Sequence, residues 1–193
     1  PGGQYATWDT AAHTIQAAVD EAVAANGDQV IVRAGVYDKG GRTRAASHLL
    51  TNRVYIAKAI TVRSEHNDPA NTIIRGAWDP VTTNGPLAVR PVYLDNSGAV
   101  LIGFTLTNGA TLASGGANST REFCGGGIYA NSSAIVSNCW IIGNMAQSFQ
   151  GAGGGGAYQG TYYDCHFIGN SFADNPSHPF GGGVDNAILY CCQ

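Results

Sequence analysis

The groups with chemistry to offer in this 193-residue chain are five cysteines, a few separated aspartates and histidines, and a set of aromatic residues. Cys124, Cys139, Cys165, Cys191 and Cys192 are odd in number and contain no CxxC pair. A tetrahedral metal site needs convergent partners, and the nearest, His166, falls on the opposite side of its strand from Cys165. These cysteines therefore read as small buried side chains with free thiols. Stacked coils bring cysteines within the Cα range for a disulfide, about 4.4 to 6.8 Å, but in-register parallel geometry makes that bond awkward.

Asp79, Asp95 and Asp164 are the carboxylates able to face a groove. A pair about 5 to 9 Å apart would suit glycoside hydrolysis. No register links the segments carrying Asp95 and Asp164, so they read as turn and loop residues. His13, His166 and His178 are isolated, and His178 sits in the proline-containing stretch DNPSHPF. Four aromatic residues, Trp140, Tyr158, Tyr162 and Tyr163, lie on or near strands. Rings turned outward there would stack on sugar faces or pack on a partner, and interior packing is the competing reading. They form the candidate contact site. No catalytic residue, cofactor or metal ligand is assigned.

The element that must position these groups is a repeat. GGGIYANSSAIVSNCWIIGN begins at Gly125, GGGAYQGTYYDCHFIGN at Gly154 and GGGVDNAILYCC at Gly181. The triplets are 29 and 27 residues apart, while Cys139 to Cys165 and Asn144 to Asn170 are both 26 apart. Units this short cannot bury their own apolar faces and must stack on one another. At a coil spacing of about 4.8 Å, Cys139, Cys165 and Cys192 form one inward column with Ile141 and Phe167, leaving Trp140 and His166 outside. Asn144 and Asn170 fall at a bend, where stacked amides bond to each other and to unpaired backbone.

Upstream, Ile15, Val19, Ala22 and Val23 make one apolar helical stripe, with Thr10 or Thr14 as N-cap and Asn26-Gly27 as the stop. Short strands follow in QVIV, RVYIAKAITVRS, NTIIRG, PVYLDNS and AVLIGFTLTNG. The helix is placed to plug the first coil. GATLASGGANSTREFC reads as a polar excursion from the stack.

Only 12% of residues are charged, against roughly a quarter in ordinary domains, and 27 are glycine. All ten Lys and Arg lie between Arg33 and Arg121, so residues 122–193 carry −4 and no cation. That excludes nucleic acid and disfavours anionic polysaccharide on those coils. The cluster DKGGRTRAASHLLTNR reads as a solvated basic loop. No apolar run approaches the roughly 20 residues of a membrane span. The third repeat breaks off at Gln193 without a polar cap, so the chain is expected to be a piece of a longer one.

TIQAAVDEAVAANGDQVIVRAGVY resembles the cap and first strand of right-handed parallel β-helices of the pectin-lyase-like superfamily, and GFTLTNG resembles one of their coils. The GGGI, GGGA and GGGV triplets with IIGN and FIGN are similar to the GG-apolar and FxxN repeats of polymorphic outer-membrane proteins and other bacterial surface proteins. The resemblance implies an all-β right-handed parallel β-helix, a solenoid with an N-terminal amphipathic capping helix, forming one domain over residues 1–193. Its parts are the loop and cap helix (1–27), first coils (28–108), the excursion (109–124) and regular repeats (125–193). It also implies a secreted or cell-surface location. The catalytic motifs of this fold, a QDT, an NTD or a Gly-His-Gly, do not occur. The expected function is a non-catalytic module for adhesion, glycan contact or assembly. The alternatives are a polysaccharide lyase or glycoside hydrolase and a self-assembling structural protein. Expected partners are the rest of a longer chain or a second copy at the open end, and polysaccharide.

Overall fold

The computed structural model of the chain describes residues 5–114, 119–147, 153–173 and 181–193. Asp174 and His178 lie outside them. The described chain is predominantly β, and every pairing between its strands is parallel.

The first sheet stacks six strands in sequence order, Gln29–Val32, Thr61–Ser64, Val100–Ile102, Ile135–Ser137, Thr161–Tyr163 and Ile188–Tyr190. A second sheet of five holds Gly35–Tyr37, Thr72–Arg75, Thr105–Thr107, Trp140–Ile142 and His166–Ile168. A third sheet of five holds Thr51–Ile56, Val89–Leu94, Ile128–Ala130, Ala157–Tyr158 and Val184–Asp185. Met145–Gln147 and Ser171–Ala173 pair as a fourth, two-stranded sheet, extended by a parallel bridge from Ala110 to Met145. The chain passes through the first three sheets in fixed order and returns each time one strand further along. This path is compatible with a β-helix.

Alternation sets the core. Val30, Val62, Leu101, Val136, Tyr162 and Leu189 are successive partners on the inner side of the first sheet. Ile74, Leu106, Ile141 and Phe167 do the same in the second, and Val54, Val92, Ile128, Ala157 and Val184 in the third. These rows, apart from the exposed Leu189, belong to one continuous apolar cluster. Parallel strands whose interior is shared by three sheets favour apolar residues along these rows.

The corners explain the repeated residue types. Between the first two sheets Gly103, Asn138, Asp164 and Cys191 occupy the left-handed region, which glycine and Asn/Asp tolerate best. The next residue points inward, giving the column Phe104, Cys139, Cys165 and Cys192. There the Phe104 N–H donates to Cys139 Sγ and the Cys165 N–H to Cys192 Sγ, both at 3.4 Å. The sulfurs thus accept N–H groups that the turn takes out of the ladders, and all five cysteines are free thiols.

At the next corner Asn108, Gly143 and Gly169 are left-handed. Beyond them Asn144 Oδ1 accepts the Gly109 N–H at 2.8 Å, while its Nδ2 donates to Leu106 O at 2.9 Å and Asn170 Oδ1 at 3.0 Å. Asn170 Nδ2 in turn donates to Ile141 O at 2.7 Å. The expected amide ladder is present.

Helix α1 (Ile15–Glu21) is capped by Thr14, whose hydroxyl accepts the Ala17 N–H at 3.2 Å. Seven residues are too few for a stable isolated helix, and tertiary contacts hold this one. Ile15, Val19 and Ala22 close the core end. Gln16 Oε1 accepts the Tyr55 N–H at 2.7 Å and its Nε2 donates to Tyr55 O at 3.1 Å, so one side chain takes the place of a neighbouring strand. Lys58 Nζ donates to the carbonyls of Val19, Asp20 and Ala22. Val23, expected in the stripe, is exposed because the helix stops at Glu21.

The structure adds detail to two loop readings. In the 109–124 stretch, Ala110, Leu112 and Phe123 pack with Leu50 and Ala88 in a second apolar cluster, and residues 119–123 form a short helix, α2 (Ser119–Phe123). The described residues of this excursion are thus partly packed down on apolar contacts. The basic loop is only partly solvated: Lys39 is exposed, but Arg53 is buried and donates to Gly40 O and to Arg75 O. Arg44 pairs with Asp95 at 3.0 Å.

Asn144→Ala should cost about 3 kcal/mol or more, since it strands the buried Leu106 carbonyl and Gly109 N–H. Asn131→Ala, at an exposed turn where the side chain accepts only the Ser133 N–H among the described contacts, should cost under about 1 kcal/mol. Urea unfolding of the two variants checks the ranking, and equal costs would contradict the ladder's role.

Candidate interaction surface

The structure divides the four predicted aromatic residues. Tyr162 is fully buried, on the inner row of the first sheet with an edge contact to Phe167, so it is withdrawn as a contact residue. Its position in TYY made it one of two adjacent tyrosines on opposite faces, and alternation sends it inward. Tyr158 is also buried, on the outer side of the third sheet beneath covering segments.

Tyr163 and Trp140 remain outward. Tyr163 is 38% exposed and stacks face to face on Tyr190, itself 49% exposed, with centroids 4.9 Å apart and planes at 9°. Trp140 is half-buried and meets His166 edge-on at 6.2 Å. In sequence these pairs flank the corner column of Asn138, Asp164 and Cys191. The structure thus joins Tyr190 and His166 to two of the predicted residues. Registered parallel strands hold the rings, so little rotamer freedom is left to lose on contact. The outer side of the first sheet continues this surface with Ile31, Ile135 and Ile188, all exposed.

A second aromatic row is hidden. Tyr55, Tyr93, Tyr129 and Tyr158 are register partners on the third sheet, with centroids 5.5, 4.9 and 5.3 Å apart. The recurrence of apolar-Tyr in VYI, VYL, IYA and AY was the available signal. Beside the row Arg90 is buried at 1% exposure, donating to Gly125 O at 2.8 Å, Asn52 Oδ1 at 2.9 Å, Arg121 O at 2.7 Å and Cys124 O at 2.8 Å. It lies 5.6 and 5.5 Å from the Tyr93 and Tyr129 centroids. Burial pulls its pKa down to about 10, so it is still a cation at neutral pH. Glu122 is buried as well and accepts the N–H groups of Leu49 and Leu50. These groups tie the covering segments to the sheet.

Asp79, Asp95 and Asp164 sit in separate local settings. Asp79 is held low by the N–H groups of Val81 and Leu87 in its own turn, and Asp164 is the left-handed corner residue. Asp95 Oδ2 accepts both Arg44 Nε at 3.0 Å and the Tyr55 hydroxyl at 2.7 Å. Among the described residues no three His, Cys, Asp or Glu side chains cluster as metal ligands, and no helix is long and apolar enough to cross a membrane. A hollow of about 130 Å³ beside α1, lined in part by His13, Asp38, Lys39 and Arg53, is smaller than the several hundred Å³ of ordinary ligand pockets.

Burial, ahead of the hydrogen bond to Asp95, pushes Tyr55 up to about 12, and burial does the same to Tyr93 and Tyr129. An unfolded phenol ionises near 10. Since the folded state holds these protons more tightly, the stability they give is full below pH 10 and is lost as pH rises from 10 toward 12. In an alkaline titration followed by phenolate absorbance and circular dichroism, their signal should appear together with loss of sheet. In a triple variant carrying Tyr55→Phe, Tyr93→Phe and Tyr129→Phe that late component should shrink, with Tyr162, also pushed up by burial, still contributing to it. Reversible ionisation of all three near pH 10 in the folded protein would contradict the assignment.

Compared with family models, curated proteins and solved structures, the chain has no match.

Proposed function

We propose that this chain is a non-catalytic right-handed parallel β-helix module of a secreted or cell-surface bacterial protein. It presents its outer face for adhesion, glycan contact or assembly. The observation that carries this reading is the stacked, exposed pair Tyr163 and Tyr190 beside Trp140 and His166. Flat rings fixed at the strand repeat offer apolar faces to the C–H faces of sugars. Since residues 122–193 carry no cation, neutral glycans suit this surface better than uronates.

The enzyme alternative has its best-placed carboxylate in Asp95. Arg44 and Tyr55 both occupy the same oxygen, and a phenol pushed up to about 12 is no general base at neutral pH. That geometry favours a structural role for Asp95.

Affinity electrophoresis against a panel of neutral and anionic polysaccharides is the test. A neutral polysaccharide should retard the protein, and Tyr163→Ala or Tyr190→Ala should each weaken binding roughly fivefold. Binding indifferent to both substitutions would remove the aromatic surface from the account. Release of reducing or unsaturated sugar that persists through purification would establish an enzyme instead.

A further inference from the structure

The buried cations of the chain are not equally satisfied. Arg90 spends its guanidinium on four acceptors. Arg53, only 9% exposed, spends Nε on Arg75 O at 2.9 Å and Nη1 on Gly40 O, and its Nη2 has no hydrogen-bond partner among the described residues. That nitrogen is not sealed from solvent either. Burial pulls the Arg53 pKa down, and Asp38 opposes this through its charge without forming an ion pair with the guanidinium. A cation with so little water around it gains more from an anion than an exposed one does.

The hollow of about 130 Å³ beside α1 is the open space that Arg53 borders, and all of its lining residues are described. Its unspent polar groups are mostly donors. Lys39 has a side chain 88% exposed and meets Asp38 only at 3.8 Å, so its ammonium is free to turn over the mouth. The Thr14 hydroxyl accepts the Ala17 N–H and keeps its own hydrogen to donate. His13 is exposed at the rim, and the Tyr37 hydroxyl is already spent on Arg33 O at 2.9 Å. Among the lining residues two cations, Lys39 and Arg53, stand against one carboxylate, Asp38. The volume is below that of ordinary ligand pockets and suits a single carboxylate, sulfate or phosphate group.

We propose that this hollow is a binding site for a small oxyanion, with Arg53 and Lys39 supplying the charge and Thr14 a hydroxyl donor. An anion is the occupant, and not a neutral sugar, because the donors left over sit on cations. Side chains make the site, and the N–H groups of the short α1 are not needed. The hollow lies against the first strands of the second and third sheets, whereas Tyr163 belongs to the fifth strand of the first sheet, so the inference is independent of glycan contact.

The test is an NMR titration of the chain in which inorganic phosphate, sulfate or acetate replaces chloride at constant ionic strength. Saturable shifts should appear at the Thr14 and Lys39 amides and at the Arg53 side chain. Lys39→Ala should weaken binding about threefold, and Arg53→Lys, which keeps the charge but loses the guanidinium fork, about tenfold. Asp38→Asn should tighten it about threefold by removing the opposing charge, and Tyr163→Ala should leave it unchanged. The strongest response to phosphate and sulfate would assign a tetrahedral group and the strongest to acetate a planar carboxylate, and either supports the site. No change on replacing chloride, or shifts that never saturate, would overturn the proposal. So would weaker binding by Asp38→Asn. Should Arg53→Lys fail to fold, the opposite signs expected for Lys39→Ala and Asp38→Asn still decide.

Discussion

The constraint on which the rest depends is the close approach of one layer's backbone to the next. Parallel strands about 4.8 Å apart leave no freedom in register, so a residue placed at one position fixes the environment of its partners above and below. Where a carbonyl of the following layer occupies the space of a Cβ, as over Gly127 and Gly156, only glycine serves. Where a corner turns a backbone N–H away from its ladder, an inward acceptor must meet it. Asn144 and Asn170 do this with amides, and Cys139 and Cys192 with sulfur. Residue types that suggest catalysis or metal binding are thereby accounted for as parts of the frame.

The same constraint separates surface from interior. Inward rows are apolar because three sheets share them. Outward rows are free to differ, and they do so sheet by sheet. On the third sheet the outer row is four tyrosines beneath a roof of loop and helix, held down by Arg90 and Glu122 through main-chain hydrogen bonds. A buried guanidinium with four hydrogen bonds is costly to break but adds little net stability. Its effect is to fix where the covering segments sit. On the first two sheets no described segment covers Tyr163, Tyr190 or Ile188, and this is where contact with other molecules is possible.

The stacked repeat was legible in the sequence because equivalent positions demand equivalent residues. Glycine triplets, the cysteine column and the asparagine pair carried spacing and facing without reference to any other protein, and the helix start was narrowed to Thr10 or Thr14, of which Thr14 is the cap. What was not legible lies in segments that do not repeat. Nothing periodic marks Arg90 or Glu122, whose burial depends on loops between strands finding the outer face of a distant sheet. Tyr162 and Tyr163 were not separable by counting from Cys165, because the left-handed corner at Asp164 breaks the alternation between them and it. Gln16 gave no signal, since a polar residue beside a helical stripe has no visible partner until the strand edge at Tyr55 is placed.

The central claim is the in-register parallel stacking of successive repeats, and solution NMR tests it most directly. Nuclear Overhauser contacts should connect Val136 to Tyr162 and Tyr162 to Leu189 in one row, and Ile141 to Phe167 in another, each with the backbone pattern of parallel strands. Close Hα–Hα contacts between the same segments, the mark of antiparallel pairing, or contacts displaced by one residue would contradict the account.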